Sequence, residues 1–264
     1  MRSESFTLVG HRGAMGHAPE NSIASFRLAE QMGVDEIELD VRLTADGVAI
    51  VLHDATLDRT AADGSGRGLG PVAELNFDQI KDIELDSGRG VLTFEEALDN
   101  TTVTLQVEIK AIEVVPELGR IAQARPDDAQ RIQFTSFSAD ALHAVAEVAP
   151  FVPRGLIVAA YPDADNHPAG IRSVLASTGS GAFYCGWNGL TADLVRELHE
   201  AGLQVHAWPL KTSDDAVRAL ELGVDGTTTD FPADAKQWLA CAHTAGGQPQ
   251  RDWPPSRGIV APVR

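Results

Sequence analysis

The stretch Glu36-Ile37-Glu38-Leu39-Asp40-Val41 decides the fold, together with the hairpin signal Thr44-Ala45-Asp46-Gly47 that follows it. Successive side chains on a strand point to opposite faces. Ile37, Leu39 and Val41 therefore share one face, and Glu36, Glu38 and Asp40 share the other. The flanking apolar residues read as a strand buried on both faces. If the apolar set packs outward on helices, the carboxylates point into the interior of a closed sheet. Unpaired charge buried there is strongly destabilising, so something must neutralise it. A hard divalent cation, Mg2+ or Ca2+, does so naturally because it prefers oxygen ligands. Glu38 and Asp40, nearest the strand's C-terminal end, are the better ligands. The alternative is an exposed edge strand with a solvated acidic face.

Working outward, Asp46-Gly47 between apolar runs predicts that Val48–Leu52 folds back antiparallel on the preceding strand. The other expected strands are Thr7–His11, Thr104–Ile109, Arg131–Ser136, Arg154–Ala159, Ala182–Gly186, Gln204–Trp208 and Gly226–Asp230. Helices are expected over Glu20–Met32, Phe94–Asp99, Glu113–Ala124, Ala139–Val148, Ala169–Ser177, Ala192–Ala201, Asp214–Leu222 and Asp234–Ala242. Gly33, Gly202 and Gly223 stand where a left-handed C-terminal residue ends a helix, and Ser138, Thr191 and Ser213 where a side chain caps a helix start. With the folded-back strand set aside, eight strand–helix units remain. That count implies an α/β protein of the (β/α)8 TIM-barrel type, with its site at the strand C-termini. An open doubly wound sheet fits less well, because no glycine-rich phosphate loop follows the first strand.

The 264 residues read as one domain, with an insertion over about 55–92 after the second strand and an irregular tail over about 245–264. The insertion is either a substrate wall or a plain surface loop with a short helix over Asn76–Ile83. A 44% hydrophobic content supplies a sizeable core, and a net charge of −17 repels nucleic-acid phosphates and anionic headgroups. Nucleic acid and stable membrane association are therefore not expected. No apolar run is long enough to span a bilayer, and the first residues lack the apolar core of a signal peptide. Cys185 and Cys241 lack any metal spacing and read as buried free thiols of a reducing compartment.

Further chemistry lies near the same strand ends. Glu108 and Lys110 share a face at the end of Thr104–Ile109, as a third carboxylate and a nearby cation, or as a surface ion pair. His11 and His53 each follow an apolar strand and are each followed by a charged residue. Such a pair suits acid–base work near neutral pH. Arg12 offers a bidentate fork to a phosphoryl group, and Gly13 permits close backbone approach. His17, His143, His167, His199, His206 and His243 lack this context and are assigned to loops or helix faces. Glu20 or Asn21 caps the first helix or touches the site. Trp208, at a strand end, is an apolar wall for a substrate alcohol or a core residue, and Asp230 reads as the cap of the last helix.

Together these pieces resemble the glycerophosphodiester phosphodiesterase family. The resemblance rests on His11-Arg12-Gly13, Pro19-Glu20-Asn21, Glu38-x-Asp40, His53-Asp54, Leu57-x-Arg59-Thr60, Glu108-x-Lys110, Ser136-Phe137, Trp208 and Asp225-Gly226 through Asp230-x-Pro232. It runs from residue 7 to about residue 240. The resemblance implies a (β/α)8 barrel with an insertion after the second strand. It implies His11 and His53 as the general acid/base pair, Glu38, Asp40 and Glu108 as ligands of one Mg2+ or Ca2+, and Arg12 and Lys110 on the phosphate. The implied reaction is metal-dependent hydrolysis of a small glycerophosphodiester to glycerol 3-phosphate and an alcohol. Ser22, where the family usually has Thr, and the Thr227-Thr228-Thr229 strand depart from the pattern without removing a catalytic group. The short insertion suggests a compact cytoplasmic form. A lysophospholipase D-like activity and a non-catalytic phosphate- or metal-binding barrel are the rival expectations. Oligomeric state, preferred alcohol and the division of acid and base roles are not legible.

Overall fold

The computed structural model describes residues 6–62, 64–86, 90–163, 166–167 and 170–245. The chain runs β1 (Thr7–Gly10), α1 (Ile23–Met32), β2 (Glu36–Leu43), β3 (Ala49–Val51), α2 (Phe77–Ile80), α3 (Phe94–Asp99), β4 (Thr104–Ile109), α4 (Val115–Ala124), α5 (Pro126–Ala129), β5 (Ile132–Ser136), α6 (Ala139–Val148) and β6 (Arg154–Ala160). It continues through α7 (Ile171–Thr178), β7 (Ala182–Asn188), α8 (Ala192–Glu200), β8 (Gln204–Trp208), α9 (Ser213–Leu222), β9 (Gly226–Thr229) and α10 (Pro232–Ala245).

Eight parallel strands close into a barrel, because β1 pairs with both β2 and β9. The ninth strand is β3. It turns back antiparallel, setting Ala49 opposite Leu43 and Val51 opposite Val41, as the Asp-Gly turn predicts. Its reversal returns the chain to the barrel mouth, where Leu52 N–H donates to the carbonyl of Asp40 (3.0 Å) and His53 follows.

Ile37, Leu39 and Val41 face outward in one apolar cluster with Phe26 and Ala29 of α1 and Phe94 and Leu98 of α3. The interior face is unusually polar for a barrel core. There Gln106 donates to Glu36 (2.6 Å), Tyr184 donates to Gln133 (2.7 Å), and His206 lies 4.9 Å from the Tyr184 ring. His206 is thus a buried residue of β8, within the expected strand Gln204–Trp208 and not on a loop or helix face as assigned. Its neighbours Val205 and Ala207 pack outward, which turns the imidazole inward.

Several helix ends follow the sequence, and others correct it. Ser138 and Thr191 cap α6 and α8, and Gly33, Gly202 and Gly223 have φ of 76°, 85° and 72°. The cap of α9 is Thr212, not Ser213, through a reciprocal pair with Asp215. The cap of α1 is Ser22, so Glu20 and Asn21 are released for other partners. The insertion is no bare loop. Leu57, Val72, Ile80 and Val91 form a second apolar cluster with Ile50 and Leu52 of the hairpin, and the expected short helix forms over Phe77–Ile80.

Of the cysteines, Cys185 is buried, with its thiol pushed up to about 12 by burial, whereas Cys241 is exposed, against expectation. Gly88, Ala169 and the tail beyond residue 245 lie outside the described residues. Among the described residues, no helix is long and apolar enough to cross a membrane.

Candidate active site

Three carboxylates from neighbouring strands meet at the C-terminal mouth. Glu38 and Asp40 extend inward from β2 and Glu108 from β4, with Asp40 in register with Glu108. One oxygen from each lies within 4.8 Å of the others, and all three residues are buried. Lys110 Nζ stands 2.6 Å from Glu108 and 3.2 Å from Asp40. Arg12 Nε is 3.1 Å from Asp40, and the Arg12 backbone N–H donates to Glu38 (3.0 Å).

The loop after β1 is wound tightly to bring these groups in. Arg12 and Asn21 adopt φ of 49° and 53°, a left-handed conformation uncommon outside glycine. Gly13, at φ 87°, has no room for a side chain, since a Cβ there would stand 2.4 Å from Ser25 Oγ. The strain is held by Ser25 Oγ–H and Asn21 N–H, which both donate to the Arg12 carbonyl. The turn delivers the Asn21 amide to Asp40 (2.8 Å), a buried contact to the carboxylate cluster.

The charges are unequal. Burial, then the adjacent Asp40 charge, pushes Glu38 up to about 8. The same two causes raise Glu108. Burial opposes the charge on Asp40 as well, but Lys110 and Arg12 outweigh it and hold that carboxyl below its usual range. Glu38 Oε1 is buried and has no hydrogen-bond partner. Two protein cations thus leave the cluster short of positive charge, with an oxygen unused. A divalent cation with oxygen ligands fits that donor set.

His11 and His53 stand beside the carboxylates, about a third exposed. Nδ1 of His11 is 2.6 Å from Asp230, and Nδ1 of His53 is 2.6 Å from Asp54. Arg59 first, and then the His53 imidazole, depress Asp54, and the His11 hydrogen bond depresses Asp230. An ionised carboxylate only accepts, so Nδ1 carries the proton in each ring and Nε2 is left for the cavity. Nε2 of His11 is 3.8 Å from Glu38. Burial lowers the His11 pKa, but the Asp230 hydrogen bond and the Glu38 charge reverse this, and the net shift is upward.

Seven of the eight residues singled out from the sequence line one cavity of about 200 Å³, and the eighth, Asp40, pairs with two of them, Arg12 and Lys110. The cavity's ionic side is His11, Arg12, Glu38, His53, Glu108 and Lys110, and its apolar side is Phe137, Ile157, Tyr184, Trp208 and Pro209. Trp208 is both wall and packing residue. It meets Phe137 edge-on at 5.9 Å and packs on Ile157 and Tyr184. Trp208 and Thr135 both line the cavity, and Trp208 Nε1 and Thr135 Oγ1 are buried with no hydrogen-bond partner. A larger cavity of about 420 Å³ lies between α1 and the insertion and contains none of the carboxylate cluster or the imidazoles.

Sequence reasoning missed one of these groups: Asp230 reads as a helix cap but turns back onto His11. For Asn21 the second of the two readings holds, since it reaches Asp40 and leaves the cap to Ser22. The signal for Asp230 was its place at a barrel strand's C-terminal end, the same position that singled out the two histidines.

Three comparisons bear on this site. Residues 11–234 match the model of the "Glycerophosphoryl diester phosphodiesterase family". A glycerophosphodiester phosphodiesterase of Bacillus subtilis (strain 168) is 29% identical over 251 residues, covering 85% of this chain and 83% of that protein. One from Caldanaerobacter subterraneus subsp. tengcongensis is 28% identical over 239 residues, covering 85% and 94%. An Oleispira antarctica phosphodiesterase, solved in complex with the product sn-glycerol-3-phosphate, superposes with a TM-score of 0.77 at 24% identity, covering 88% of this chain and 96% of that one.

Proposed function

This chain is an enzyme of the glycerophosphoryl diester phosphodiesterase family, and we propose that it hydrolyses small glycerophosphodiesters to glycerol 3-phosphate and an alcohol by histidine acid–base catalysis that depends on one divalent cation. The observation that carries this reading is the convergence of Glu38, Asp40, Glu108, His11 and His53 at one barrel mouth.

Glu38, Asp40 and Glu108 would hold the ion. When bound, Mg2+ or Ca2+ supplies positive charge to the phosphoryl oxygens. Arg12 and Lys110 bring fixed positive charge to the same place, already oriented by Glu20, Asp40 and Glu108, so little reorganisation accompanies substrate binding. Asp230 and Asp54 fix the two imidazoles in the tautomer that presents Nε2 to the substrate. One imidazole takes the proton from the attacking hydroxyl, either the substrate's own glycerol 2-hydroxyl or water. The other, protonated on Nε2 as well and so an imidazolium, delivers that proton to the departing alcohol; where the 2-hydroxyl attacks, water then opens the cyclic phosphate to glycerol 3-phosphate. Phe137 and Trp208 flank the carbon skeleton.

A net charge of −17 turns away nucleic acids and anionic surfaces, so the substrate is a small diester taken from solution, and the reading places the reaction in the cytoplasm. Phe137, 39% exposed at the mouth, favours a second reading in which the glycerol carries an acyl chain, as in a lysophospholipid. The test is release of choline or ethanolamine from glycerophosphocholine, glycerophosphoethanolamine and lysophosphatidylcholine, with the phosphorylated product identified, with EDTA and with added Mg2+ or Ca2+. Release from the first two that EDTA abolishes supports the first reading. Turnover of lysophosphatidylcholine alone, with release of a lysophosphatidate, supports the second. Ion binding with no turnover of any diester would return the chain to a non-catalytic binding role.

A further inference from the structure

Arg59 stands in the insertion, within the Leu57-x-Arg59-Thr60 stretch, and no step above uses it. Its guanidinium grips two carboxylates. Nε and Nη2 donate to Asp54 at 2.7 and 3.2 Å, and Nη1 and Nη2 donate to Glu20 at 2.6 and 2.7 Å. Each carboxylate has a second partner facing the substrate cavity. Asp54 Oδ1 accepts from His53 Nδ1 at 2.6 Å, and Glu20 Oε1 accepts from Arg12 Nη1 at 2.8 Å. An unbroken chain of charge-assisted bonds therefore runs from His53 through Asp54, Arg59 and Glu20 to Arg12.

An isolated exposed ion pair contributes little. This one is different in geometry, because a rigid planar fork is doubly engaged on both of its edges. Its backbone is also anchored. Leu57 and Thr60 on either side are buried, and the Thr60 carbonyl accepts from Asp86 N–H. On the other flank, Arg42 donates twice to the His53 carbonyl, at 2.9 and 2.7 Å. His53 is thus fixed through its backbone by Arg42 and through its ring, by way of Asp54, by Arg59.

We propose that Arg59 is a positioning residue that sets His53 and Arg12 as one unit, so that the packed insertion governs the relative placement of the acid–base group and the phosphate-holding group. Arg59 does this without touching the substrate. In its turnover arm the proposal rests on the reading under Proposed function; its binding arm, with inorganic phosphate, does not.

Arg59→Ala and Arg59→Lys separate the possibilities. Misplacement of catalytic groups by about 1 Å can cost about a hundredfold in rate. Arg59→Ala should therefore lower kcat for glycerophosphocholine by about 10- to 100-fold, with KM raised by no more than about tenfold through the loosened Arg12. Added guanidinium should restore much of the loss, and Arg59→Lys, which keeps the charge without the fork, should recover only part. Calorimetry should show inorganic phosphate bound about tenfold more weakly by Arg59→Ala, since Arg12 loses its orientation through Glu20. The proposal is overturned if kcat is unchanged, if the whole effect falls on KM, or if guanidinium rescues nothing. Should the wild type release no glycerol 3-phosphate, the functional reading fails; phosphate bound equally by wild type and Arg59→Ala would then still sink the positioning role on its own.

Discussion

Strand β2 presents Ile37, Leu39 and Val41 to the helices and Glu36, Glu38 and Asp40 to the barrel interior. The outward face is fully buried, dry and interchangeable in chemistry, held by apolar packing on α1 and α3. On the inward face Glu38 and Asp40 are also buried and Glu36 is half-buried, yet every group depends on a named partner: Gln106 for Glu36, Arg12 for Glu38, and Asn21 and Lys110 for Asp40. Six residues of one strand thus divide stability from chemistry by parity alone. Burial stabilises the first set and perturbs the second, and the perturbation is what makes the second set useful.

That division makes separable predictions. The largest effect belongs to the groups the inner face serves. His53→Ala and His11→Ala should each lower kcat by about 10² to 10⁴, with no loss of thermal stability, as steady-state kinetics and a melting curve of the same samples will show. Next comes the outer face. Leu39→Ala should cost about 3 kcal/mol of unfolding free energy in urea titration and leave the activity per folded molecule intact.

Comparable in size is a pH effect from the barrel interior. His206 ordinarily titrates at 6.5 and is pushed down to about 4 by burial. The unfolded chain therefore takes up this proton first as pH falls. The stability associated with the neutral ring is complete above pH 6.5 and is lost on acidification toward pH 4, by about 3 kcal/mol for the gap between the two values. Urea titrations across that range, with and without His206→Gln, measure it; a variant that loses as much stability as the wild type removes His206 as the cause. The smallest effect is Asp230→Asn, which leaves His11 in place but loosens its tautomer. It should lower kcat by about 10- to 100-fold, and an unchanged kcat would make Asp230 a bystander.

The parity of β2 and the Asp-Gly turn were enough to read the barrel and its extra antiparallel strand, because both are local and set by backbone periodicity. Strand limits at Thr104–Ile109 and Gln204–Trp208 came out as read for the same reason. Seven of the eight residues singled out for a site were legible as polar groups at or just past strand ends, and Trp208 as an apolar residue at another. What the sequence hid was partnership. Asp230 lies 219 positions from His11, and local spacing makes it an equally good helix cap. Asn21 reaches Asp40 only because it and Arg12 take left-handed backbone conformations, which a non-glycine residue does not announce. His206 was misplaced because a buried neutral imidazole in a polar interior has no pattern of its own.

The most direct test of the inner face is calorimetric titration of Mg2+ and Ca2+ into the wild type and into Glu38→Gln, Asp40→Asn and Glu108→Gln, each followed by a melting curve. One ion per wild-type chain, weakened or lost in every variant and raising the melting temperature only where it binds, is the result expected. An ion held equally well by all four proteins, or by none of them, would contradict it.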